Sequence, residues 1–108
     1  MSKLPSHYEK FLEAFPRVGE SYQSLGTACL EAGPLDGKTA ALVKLGLAIG
    51  AGLEGASHAH VRKALRAGAR PEEIRHAVLL ATTTLGFPSM MRGLAWAQDV
   101  LEKVEASS

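Results

Sequence analysis

Glycine and proline interrupt the chain at Pro16, Gly33-Pro34, Gly50 to Gly55, Gly68 to Pro71 and Gly86 to Pro88, and every stretch between two interruptions is of helix length. Inside those stretches apolar residues recur at three- and four-residue spacing, and no segment alternates long enough to make a strand. The pattern predicts an all-α chain of about six helices. The first begins at Ser6, whose hydroxyl caps while Glu9 reaches back in a capping box, and runs through Phe11, Leu12 and Phe15 until Pro16 stops it. The second sets Tyr22, Leu25 and Cys29 on one face and ends at Gly33. Asp36 is the expected cap of the third, where Leu42, Val43, Leu45, Leu47 and Ile49 leave Lys44 as the only charge after Lys38. A helix so apolar on all sides is central. The fourth turns Val61, Ala64 and Leu65 inward and Arg62, Lys63 and Arg66 outward until Gly68 ends it. The fifth opens on Pro71 with Glu72 and Glu73 beside its positive end, and stays apolar from Ala77 to Leu85 through the β-branched run Thr82 to Thr84. The sixth starts near Pro88 and Ser89 and carries Met91, Leu94, Ala95, Val100 and Leu101 with Trp96.

With 108 residues the chain suits one domain, residues 1–108, built around one core. Twelve Lys and Arg against eleven Asp and Glu leave a formal net charge of +1, too little to gather phosphate backbones or anionic lipid, so neither nucleic acid nor membrane is an expected partner. Met1 to Pro5 has no apolar core of signal-peptide length and no stretch reaches that of a membrane span, which makes a cytoplasmic protein the expectation. Cys29 is the only cysteine, so an internal disulfide, a CxxC redox pair and a multi-thiolate metal site are excluded within one chain. At a core spacing it reads as a small buried hydrophobe. Helices three and five are apolar around more of their circumference than a small monomer hides easily, so they are expected to pack against further copies of the chain; a monomeric bundle with both helices central is the alternative.

His58 and His60 fall in the first turns of helix four, and their i,i+2 spacing points the rings in different directions. Near a positive helix end an imidazole inclines to be neutral, fit for a general base or a hydrogen-bond donor; the competing reading is structural, with one ring on a backbone group and the other exposed. Because helical metal pairs favour i,i+3 or i,i+4 spacing, the pair is a poor ligand set, and no metal site is expected in the chain. Glu54, in the segment entering the helix, is placed to orient a ring or take a proton, or simply favours a positive helix end. His58, His60 and Glu54 are therefore the candidate catalytic residues. Arg62 and Arg92 are candidates to pair with a substrate carboxylate, or else solvated cations.

The segments "LDGKTAALVKLGLAIGAG", "HAHVRKALRAGARPEEIRHAVLLATTTLGFP" and "GLAWAQDVL", spanning Leu35 to Val100, resemble in order and spacing the carboxymuconolactone decarboxylase and alkylhydroperoxidase-D family. The resemblance implies an all-α domain of that type that assembles into homo-oligomers, often trimers or hexamers. It also implies that Phe87, in the Gly86-Phe87-Pro88 break, walls the same site as His60. The peroxidase branch of the family uses a Glu, then a CxxC pair, then a His. Anchored on His60, that pattern asks for Glu at Ala41 and for Cys at Leu53 and Ala56, and none is present. A thiolate must attack the peroxide and a second thiol must close the disulfide, so thiol peroxidase activity is not expected. The decarboxylase branch tends to carry more polar groups here, where Leu53, Gly55, Ala56 and Ser57 are small or apolar.

Two functions are left. One is a cofactor-free lyase of the decarboxylase type, acting on a small carboxylate or lactone metabolite with His60 as acid or base and Glu54 within reach of its ring. The other is a non-catalytic oligomeric domain that binds a small molecule or a partner protein. An enclosed pocket beside His60 with converging polar groups separates them, because function lives in the site rather than in the fold.

Overall fold

A proline at the first position of a helix loses no hydrogen bond, since that N–H has no partner there in any case. Pro16 therefore does more than stop the first helix: it opens the second. In the computed structural model, which describes residues 6–107, α1 covers His7–Ala14 and α2 covers Pro16–Glu31, with Phe15 between them. Met1 to Pro5 lie outside the described residues. The Ser6 hydroxyl accepts the Glu9 N–H at 3.2 Å and donates to the Glu9 carboxylate at 3.3 Å, so cap and carboxylate bond each other through their side chains. These two helices form one compact unit, ending at Pro34. Its second helix buries only Gly19, and Tyr22 and Leu25 are exposed. Cys29 is exposed as well, against the expectation of a buried thiol: regular spacing along a helix marks a face without fixing what covers it.

The second unit, from Leu35 onward, holds α3 (Gly37–Gly50), α4 (Glu54–Arg66), α5 (Pro71–Leu79) and α6 (Phe87–Ser107), and no strand occurs among the described residues. Its core takes Leu45 and Ile49 from α3, Val61 and Ala64 from α4, Ile74 and Val78 from α5, and Met90, Ala97 and Leu101 from α6. Asp36 caps α3 by accepting the Thr39 N–H at 2.8 Å, which holds its carboxyl below the ordinary value, and Glu73 likewise accepts the Arg70 N–H at the start of α5. Lys38 reaches Glu73 at 3.1 Å and joins the two helix starts. Arg75 donates to Gln98 and to both oxygens of Glu105, fastening α5 to α6.

Two helix boundaries differ from the expected ones. The glycine-rich stretch makes only a short turn, with Gly52 at φ +72°, and both the N–H and the hydroxyl of Ser57 return to the Leu53 carbonyl, at 2.9 and 2.7 Å. The first turn of α4 is closed early, so Glu54 stands in the helix and not in the segment before it. At the other boundary α5 stops at Leu79 and tightens into a 3-10 turn over Leu80–Thr83, where the Thr82 hydroxyl donates to the Leu79 carbonyl at 2.7 Å. Threonine hydroxyls that compete for helix carbonyls, together with Gly86 at φ +100°, end a helix that hydropathy alone carries to Leu85. No helix among the described residues is long and apolar enough to cross a membrane.

Candidate active site

Residues 44, 47, 48 and 51 keep the i, i+3, i+4, i+7 rhythm of one helix face, and residues 53, 56 and 60 keep i, i+3, i+7. Those two faces meet. Lys44, Leu47, Ala48 and Ala51 of α3 and its end, with Leu53, Ala56 and His60 of α4 and its start, line an open hollow of about 290 Å³. Three of its seven lining residues are alanines, and their short side chains leave the space open. The volume lies at the lower end of the range for small-molecule pockets and suits a small metabolite.

His60 is half-buried, and its Nδ1 is buried with no hydrogen-bond partner among the described residues. A ring nitrogen left in that state costs about 1–3 kcal/mol. Burial pushes its pKa below the ordinary 6.5, and the positive charges of Lys63 and Lys44 push it further down. The imidazole is therefore neutral at neutral pH, as the sequence led one to expect, but for a different reason: His60 is the seventh residue of α4, beyond the first turn where the helix dipole acts.

The other residues singled out in the sequence lie elsewhere. His58 directs Nε2 to Asp99 Oδ2 of α6 at 3.0 Å, so the two histidine rings serve different neighbours. Glu54 is exposed and clusters with His58 and Asp99, with donor atoms all within 4.8 Å of one another, rather than bonding His60. Arg62 is exposed. Arg92 lies over the Trp96 ring at 5.1 Å, and Phe87 is 60% exposed at the start of α6. None of these three lines the hollow, nor do Gly86 and Pro88. Of the positions where the resemblance asks for reactive groups, Leu53 and Ala56 form apolar wall of the hollow and Ala41 is buried in the core.

Lys44 is the cation that does line the hollow, and sequence reasoning passed over it. Its place in the 44, 47, 48, 51 stripe was the available signal. Asp99 carried no such signal, because its meeting with α4 is a tertiary contact across forty-one positions.

The family model for the carboxymuconolactone decarboxylase family matches residues 16–99, from the start of α2 into α6, a longer span than the resemblance from Leu35 to Val100. No curated protein and no solved structure matches the chain.

Proposed function

The chain belongs to the carboxymuconolactone decarboxylase family, and on that premise we propose that it is a cofactor-free lyase of the decarboxylase type, acting on a small carboxylate or lactone metabolite in the α3–α4 hollow with His60 as the acid–base group. The observation that carries this reading is a neutral, half-buried imidazole whose Nδ1 has no partner among the described residues, lining a small apolar hollow beside one ammonium group. Lys44 takes the role first considered for Arg62 and Arg92: it holds the substrate carboxylate by charge. Leu47, Ala48, Ala51, Leu53 and Ala56 offer the reacting carbon an apolar surface. The substrate is held as its carboxylate; loss of carbon dioxide leaves the bonding electron pair on carbon, the neutral His60 ring gives its N–H proton to that carbon, and a water molecule restores the ring proton, leaving hydroxide. Peroxide chemistry is left out of this reading, because the wall positions Leu53 and Ala56 offer no thiolate.

The test is a panel of small carboxylated lactones and unsaturated carboxylic acids, followed by carbon dioxide release. His60→Gln is expected to lower kcat by about a hundredfold or more with helical circular dichroism unchanged. Lys44→Met is expected to raise KM more than it lowers kcat. Full turnover in His60→Gln overturns the assignment. Conversion-free binding of the same compounds supports the second reading, a non-catalytic small-molecule binder, which the scarcity of polar groups in the lining favours: only Lys44 and His60 are polar.

The same family premise supports a homo-oligomer, a trimer or hexamer. The structural support is apolar surface left exposed on the second unit, at Val43 and Leu47 of α3 and at Leu79, Leu80 and Leu85 around the end of α5.

A further inference from the structure

Glu54 and His58 are four residues apart on α4, the spacing at which two side chains of one helix share an ion, and α6 brings Asp99 against them. One donor atom from each residue lies within 4.8 Å of the other two. A single ion bonded to all three at about 2.0–2.2 Å requires donors no more than about 4.4 Å apart, twice the bond length, so the donors need draw in by at most about 0.4 Å. The charge also fits. Two carboxylates face one imidazole, and among the described residues no lysine or arginine pairs with Glu54 or Asp99. His58 is half-buried while both carboxylates stay exposed, which leaves an open side for water ligands. The i,i+2 spacing that set aside a His58–His60 metal pair does not bear on this set, because its third donor comes from another helix.

We propose that Glu54, His58 and Asp99 bind one divalent first-row transition ion, which cross-links α4 to α6. One nitrogen and two oxygen donors suit zinc, manganese or ferrous iron better than magnesium or calcium, which prefer all-oxygen sets. The ion replaces the hydrogen bond between His58 and Asp99 and ties the helix that carries His60 to α6. It takes no part in the proton transfer proposed for the hollow, which contains none of its three ligands.

Isothermal titration of the tag-free protein with zinc chloride tests the site. One equivalent per chain is expected, together with a rise in Tm on adding zinc. His58→Ala and Asp99→Asn are each expected to weaken binding at least about tenfold and to remove the zinc-dependent rise in Tm, with helical circular dichroism retained. His60→Gln and His76→Ala are expected to bind zinc as the parent does, so the outcome here is independent of the outcome for the lyase reading. No heat with zinc or manganese up to millimolar concentration overturns the proposal and leaves a plain His58–Asp99 pair. Equal zinc affinity in Asp99→Asn and the parent overturns it as well.

Discussion

Acid loads a proton onto His60 more readily in the unfolded chain than in the folded one, because burial and the charges of Lys63 and Lys44 disfavour the imidazolium only in the fold. Above the unfolded value of 6.5 both states are neutral at this residue and stability does not respond. Below it the unfolded chain binds a proton that the folded chain refuses, so stability falls as the pH drops from 6.5 through the lowered folded value, then levels off. A Tm that decreases between about pH 7 and about pH 5 is expected, with a shallower decrease in His60→Gln. Equal slopes for parent and variant would show that another group carries the response. Asp36 does not obscure this window, since its own lowered pKa starts from 3.8 and acts only in stronger acid. Lys44 and His60 also show how far single residues were readable. A histidine at a helix start announces itself by chemistry, whereas Lys44 looked like an ordinary interruption of an apolar run until α4 came to lie beside it.

Between elements, α6 passes close to α3. A Cβ built on Gly93 meets Ile49 Cγ2 at 2.8 Å and Cδ1 at 3.0 Å, and both residues are buried. Gly93→Ala forces that branched side chain to move within a packed core, and overpacking of this kind costs about 1–3 kcal/mol. The gain in helix propensity from Gly to Ala, at most about 1 kcal/mol, opposes it without reversing it. Urea unfolding is expected to show a lower midpoint for Gly93→Ala at unchanged slope; a higher midpoint would mean that Ile49 relaxes freely. Helix ends divide along the same line. Asp36 and Pro71 place their helices from local chemistry alone, whereas α5 ends early because Thr82 returns its hydroxyl to Leu79, a choice that a β-branched run permits without requiring.

For the whole molecule, the exposed leucines around the end of α5 and the exposed Val43 and Leu47 of α3 are the surface on which the oligomer proposal rests. Light scattering at micromolar protein is expected to return a multiple of the 11.4 kDa chain mass. Val43→Lys combined with Leu80→Lys is expected to shift it toward that mass, because charge placed in an apolar interface stays unpaired. A parent protein that scatters as a monomer refutes the proposal.

The sequence alone determined that the chain is all-α, where most helices begin, and that peroxide chemistry lacks its thiols. These follow from local backbone preferences, from apolar periodicity and from residue identity, none of which needs a neighbour distant in the chain. Only the tertiary structure decided that the positions required for thiols form the wall of a hollow, that Lys44 stands there with His60, and that Glu54 and His58 turn to Asp99 while Arg62, Arg92 and Phe87 lie elsewhere. Each of those facts depends on which helix faces meet, and that is set by how side chains of different helices fill a common core, Ile49 over Gly93 among them.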